Sequence, residues 1–155
     1  MRYYILVFLI FSFIFKNKAQ TFITDNYGDT VYNVSIIKIL SNPEEYHNKK
    51  VVVIGYLHCS FENSAIYLSE EFSQIGSKEN AIWVSYDNNV EINPLLNSNI
   101  SLTDLDRKYV LLAGFYDMNN NGHFGRYAGS IINVSTISLL KKNKNSRQSS
   151  RWLTE

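Results

Sequence analysis

This sequence predicts a mainly β fold, a small and strongly coiled five-stranded barrel, and three observations lead there. The first is a phrase used twice: Lys49-Lys50-Val51-Val52-Val53-Ile54-Gly55-Tyr56, and later Lys108-Tyr109-Val110-Leu111-Leu112-Ala113-Gly114-Phe115. Each has a basic lead-in, an apolar run, one glycine and an aromatic. Runs of β-branched and aliphatic residues read as buried strands, and an interior glycine marks a bend, a bulge or a close backbone approach. The second observation is turn chemistry at Glu62-Asn63-Ser64 and Asn119-Asn120-Asn121-Gly122, where Asn and Gly tolerate positive φ. The third is a helix-like link between the third and fourth strands.

In chain order, Arg2 precedes an apolar run from Tyr3 to Phe15, which has the form of a signal peptide. A membrane-spanning helix needs about 20 apolar residues, and Lys16 and Lys18 cut this run short. The Ala19-Gln20 ending resembles those of exported Bacteroidota proteins and sets the expected junction at Gln20/Thr21. No cysteine follows the apolar run directly, so the lipoprotein route is closed. The expectation is a free periplasmic or secreted protein, with residues 1–20 removed and no stable membrane anchor afterwards.

Residues 21–34 read as an extended lead-in, and residues 35–140 as the folded domain. Ile36, Ile37, Ile39 and Leu40 share one face of a short helix that must stop before Pro43. Asn42, Pro43 and Glu45 have the pattern of a capping box, and Tyr46 is expected to pack this turn on the barrel. The strands are expected at Lys49–Phe61, Ala65–Leu68, Ala81–Tyr86, Lys108–Met118 and His123–Tyr127, with further strand through Ile131–Leu140. Phe72 and Ile75 are the expected anchors of the link after the second strand. A short helix is expected around Leu102–Leu105, and residues 141–155 read as a polar tail with little to bury.

Five strands with that link match the OB-fold order. The opening Asn42-Pro43-Glu44-Glu45-Tyr46, followed by the first strand phrase, resembles small exported bacterial OB-fold-like proteins of unknown function. Such openings often carry Gly-Lys before the strand. Here Asn48-Lys49 stands in that place, and Asn also accepts a left-handed turn. The resemblance covers about Ser35–Leu140 and implies a fold without implying a reaction.

Charge narrows the partners. Loss of residues 1–20 removes Arg2, Lys16 and Lys18 and no acid, leaving twelve basic residues against fourteen acidic, a net charge of about −2. Polynucleotide binding runs on phosphate neutralisation, so nucleic acid is not an expected partner. Cys59 is the only cysteine, which rules out an internal disulfide. Strand alternation puts it in phase with Val51, Val53 and Leu57, on the inside, unless a bulge at Gly55 inverts the phase.

Aromatics are frequent on the expected strands: Tyr56, Tyr67, Trp83, Tyr86, Phe115, Tyr116, Phe124 and Tyr127. An OB-like barrel presents an open face of its second and third strands where aromatics stack on ligands. Tyr67, Trp83 and Tyr86 are best placed for it, and the competing explanation is that these rings supply core area. His58 and His123 form a second candidate, two imidazoles at one barrel end that would suit zinc or copper, with Cys59, Glu62 or Asp117 nearby. Local zinc-motif spacing is lacking, and His58 and Cys59 alternate to opposite faces. The Asp117–Gly122 stretch imitates half a calcium loop, but its twelfth position is Ala128 rather than an acid.

The chain has no Gly-x-Ser-x-Gly, no His-Glu-x-x-His and no phosphate-cradling loop. Glu44-Glu45 and Glu70-Glu71 read as solvated turns. The function expected is therefore a non-enzymatic binding module without a cofactor. Its partner is a protein or saccharide, and its candidate contacts are Tyr56, His58, Tyr67, Trp83, Tyr86, Tyr116, His123 and Tyr127. The alternative is a small metal-dependent protein using His58 and His123. Gly55 and Gly114 are the residues expected to set curvature.

Overall fold

The computed structural model describes residues 22–24, 30–60, 62–86, 90–92 and 101–140, so the expected signal peptide and polar tail lie outside the described residues. Its strands are β1 (Phe22–Thr24), β2 (Thr30–Asn33), β3 (Lys50–Ser60), β4 (Asn63–Tyr67), β5 (Ala81–Val84), β6 (Glu91–Ile92), β7 (Lys108–Asp117) and β8 (Ser130–Leu139). Three short helices join them: α1 (Ile36–Ser41), α2 (Pro43–Tyr46) and α3 (Glu70–Gln74). The fold is mainly β. Among the described residues no helix is long and apolar enough to cross a membrane.

Five strands close on themselves. β3 pairs antiparallel with β4 and with β7, β4 with β5, and β7 with β8, while the parallel β5–β8 pair completes the ring. β2 adds parallel to the first residues of β3, β1 pairs with β2, and β6 adds parallel to β8. The lead-in expected to be merely extended therefore supplies two strands.

Period-two alternation explains what fills the ring. Val51, Val53 and Leu57 of β3 point inward with Ile66, Ile82, Val110, Leu112, Tyr116, Ile131 and Ile137, and all are buried. Ile36 and Ile39 of α1, Tyr46 of α2, and Leu105 of the 3-10 turn Leu102–Leu105 join the same cluster. Ser35 caps α1, its side chain accepting from the Lys38 N–H at 3.3 Å. Pro43 opens α2 as expected, but Asn42 makes no side-chain cap bond there, because its φ and ψ of −144° and 62° are not those of a capping residue. Asn48 does adopt the left-handed turn, at φ 59°.

The two glycines solve different problems. Gly55 keeps regular register opposite Val110, so β3 carries no bulge there. A Cβ at Gly55 would stand 2.6 Å from Ile66 Cγ1 and from the Tyr67 carbonyl oxygen, and 2.7 Å from Ile36 Cδ1. Close approach of β4 and α1 is what it permits. At Gly114 the β7–β8 register does shift, between Ala113 and Phe115. The extra residues belong to β8: Ala113 faces Thr136 and Phe115 faces Ile132, with Asn133 in the left-handed region at φ 47°. Gly114 leaves room for Ile131 Cγ2 opposite that irregularity.

Two expectations fail at the ends of strands. His123–Tyr127 is no strand: His123–Gly125 is a 3-10 turn with Phe124 at φ 58°. Asn119–Gly122 closes no tight hairpin, because the chain leaves β7 at Asp117 and rejoins β8 only at Ser130. Ile75, expected as an anchor, is 76% exposed, while Phe72 does pack inward.

Candidate functional site

Outward alternation on β3, β4 and β5 gathers the aromatic residues into two rows. Tyr56 stands opposite Tyr67 and Tyr67 opposite Ala81; His58 stands opposite Ala65 and Ala65 opposite Trp83. The alanines leave room for rings beside them. This is the predicted aromatic face, and the protein covers much of it with its own chain. Tyr67 and Tyr127 are buried, and Phe72 of α3 and Trp83 pack on the same small cluster. Trp83 and Tyr127 lie 5.2 Å apart between ring centroids.

Tyr127 comes from the Met118–Gly129 connection, which folds back over β5. The Tyr127 hydroxyl donates to Asn63 Oδ1 at 2.7 Å and the Tyr67 hydroxyl to the same atom at 3.1 Å. Burial pushes both phenols above the ordinary tyrosine value. Gly122 presses flat on the indole, so a Cβ there would stand 2.6 Å from Trp83 Cβ and Cγ. His123 stacks on the same indole at 6.3 Å and 23°.

His47 fixes the start of this connection. Its Nδ1 accepts from the Met118 N–H at 3.3 Å, and Asp117 Oδ1 lies 3.5 Å from that nitrogen. No local sequence signal marks His47, because its partners lie some seventy residues away.

The other candidates separate. Tyr116 points into the ring, where its hydroxyl donates to the Ala128 carbonyl at 2.7 Å and burial pushes its phenol up to about 12. Tyr86 packs against the main core, its hydroxyl accepting from Ser64 Oγ at 3.2 Å. Neither belongs to the aromatic face. Cys59 lies on the inner side as alternation expects, and burial raises its thiol above the ordinary value, which disfavours the reactive thiolate.

The two histidines have different partners. His58 Nδ1 is 3.2 Å from Ser73 Oγ, whereas His123 Nε2 faces Glu62 Oε2 at 3.5 Å beside Trp83. Among the described residues no group of three or more His, Cys, Asp or Glu side chains is placed to hold a metal ion.

An opening lies beside the aromatic face. A cleft of about 300 Å³ is lined by Tyr56, His58, Glu70, Ser73, Gln74 and Arg107. Strand β3 supplies Tyr56 and His58, and α3 supplies Glu70, Ser73 and Gln74 on successive turns. Gln74 Nε2 donates to Glu70 Oε1 at 3.2 Å. Tyr56 meets Tyr109 edge-on at 5.3 Å, and burial, with Glu70 adding to it, raises its phenol above the ordinary value. Arg107 sits in the left-handed region at φ 54°, where its N–H donates to the Leu57 carbonyl at 2.8 Å. That backbone costs something for a residue with a Cβ and sets the guanidinium, 71% exposed, at the mouth of the cleft.

Chemically the cleft offers a guanidinium, a carboxylate, an amide, a hydroxyl and an imidazole against an aromatic wall. It suits recognition of a polar molecule by paired donors and acceptors. Of its lining, sequence reading named Tyr56 and His58. Glu70 passed as a solvated turn residue, and Ser73, Gln74 and Arg107 gave no local signal. No protein-family model matches this chain, and no curated protein matches it significantly.

Proposed function

We propose that this chain is an exported, non-enzymatic binding module whose ring is a small OB-like barrel, and that it takes a saccharide in the cleft beside His58. The pairing order supports the OB-like reading: five strands form one ring, and a 3-10 turn lies between the third and fourth. In such a barrel the second and third strands carry the binding face. In this chain those are β4 and β5, whose outward rings are packed beneath Phe72 and Tyr127. Ligand contact is thereby moved to the edge of the face.

The observation that carries the reading is the convergence of Glu70, Gln74, Arg107, Ser73 and His58 around the Tyr56 ring. Sugars present hydroxyls that both donate and accept, together with apolar ring faces that pack on aromatics. A near-neutral chain offers a polynucleotide no comparable basic track.

Isothermal titration of the purified protein against neutral and acidic oligosaccharides tests this. At least one should bind with a dissociation constant below about 1 mM, and Arg107→Ala should weaken it about tenfold with an unchanged melting temperature. The reading fails if no saccharide binds, or if binding is indifferent to both Arg107→Ala and His58→Ala.

A further inference from the structure

Across β3 and β7 the paired rows leave an apolar outward face that adjoins the cleft at Tyr56. Lys50, Val52, Ile54 and Tyr56 stand opposite Phe115, Ala113, Leu111 and Tyr109 in regular register. Alternation sends all eight to the outer side, where Tyr56 and Ala113 are themselves buried by their neighbours. Ile54 is 52% exposed, Tyr109 42% and Phe115 36%, so three of the large exposed hydrophobic side chains lie on this one stripe.

The stripe is about 20 Å long, from four rows two residues apart. It is also electrically polar along its length. Lys50 stands at one end, while Lys49 alternates away and sets its ammonium over the Tyr32 ring. At the other end α3 brings up Glu70, whose N–H donates to the Tyr109 hydroxyl at 3.4 Å, followed by Glu71. Arg107 near that end is countered by Asp106 at 3.8 Å, and Lys108 alternates to the opposite side of β7.

We propose that the occupant of this face is a second copy of the same chain, docked antiparallel about a two-fold axis between the Val52/Ala113 and Ile54/Leu111 rows. A two-fold contact must be self-complementary. Here the aliphatic middle meets itself, and the lysine end of each copy meets the glutamate end of the other. A parallel arrangement would set like charge on like charge. The dimer would also carry Lys50 of each copy towards the mouth of its partner's cleft, which Glu70 lines.

A face about 20 Å by 10 Å, roughly 200 Å² per copy, lies below the usual size of stable specific interfaces, so the dimer is a weak one with a dissociation constant of about 100 µM or above. Sedimentation equilibrium of the purified chain from 1 µM to about 1 mM would reveal a monomer–dimer equilibrium. Ile54→Lys, at a half-exposed position, should raise the dissociation constant about 30-fold or more while circular dichroism shows the fold intact. Lys50→Glu and Glu70→Lys should each weaken the dimer about fivefold, and combining them should restore it, because the pairs are merely reversed. A monomer throughout, a dimer indifferent to Ile54→Lys, or a double variant no better than either single one would each overturn the proposal. A monomeric result would leave the ligand reading of the cleft standing.

Discussion

Strand β3 serves two outer faces, and they are finished in opposite ways. Towards β4 and β5 it contributes Tyr56 and His58 to a surface the chain roofs with Phe72 and Tyr127. Towards β7 it contributes Val52 and Ile54 to a stripe on which Ile54, Tyr109 and Phe115 stay exposed. Aromatic richness in the sequence pointed to the first face, yet those rings are largely spent on packing. The aliphatic side gave no such signal and is the one left open. Residue type alone does not locate a binding surface; what the connections do with each face decides it.

The sharpest way to break this contrast is to remove the roof. Tyr127→Ala deletes a buried ring and leaves Asn63 Oδ1 short of a 2.7 Å donor. A loss of about 4 kcal/mol is expected in urea denaturation, the size seen for buried aromatic truncations. Trp83 fluorescence should shift to the red as the Met118–Gly129 connection lifts. A loss below about 1 kcal/mol would mean that Tyr127 merely lies on the face.

How much of this was legible follows from the range of each interaction. The inward sets Val51-Val53-Leu57 and Val110-Leu112 could be read because alternation is local and of period two. The regular phase that takes Cys59 inward could be read as well, once no bulge intervenes at Gly55. The connection after β7 could not. Asn119-Asn120-Asn121-Gly122 satisfies turn chemistry by itself, but Gly122 is shaped by Trp83, some forty residues earlier. Likewise Glu70 and Arg107 meet at the cleft only because α3 and the 3-10 turn dock on the same end of β3. Sequence spacing carries no record of that meeting.

Alkaline pH sharpens the comparison at smaller cost. Tyr67 and Tyr127 hold their protons above the ordinary tyrosine value because burial penalises the phenolate. A folded-state value raised above the unfolded one of 10.0 gives stability that is complete below pH 10 and drains away as pH climbs beyond it. The buried Tyr116, pushed up to about 12, adds to the same alkaline limb. Tyr127→Phe should cost about 1 kcal/mol at pH 7 through the lost hydrogen bond, and should flatten the decline above pH 10. An unchanged slope in denaturation midpoints between pH 9 and 11 would contradict the burial argument.

The smallest effect is the most discriminating. Ile54→Ala removes a half-exposed side chain, so the stability of the isolated chain should move by no more than about 0.5 kcal/mol. Measured below 1 µM, the variant and the parent should melt together. At several hundred micromolar they should part, because association stabilises the parent by mass action and the variant much less. A parent whose melting temperature is flat with concentration would make the exposed stripe an ordinary surface, since scattered apolar exposure is normal for folded chains. A rising melting temperature that Ile54→Ala abolishes would assign the two faces of β3 separate tasks, one holding the fold and the other holding a neighbour.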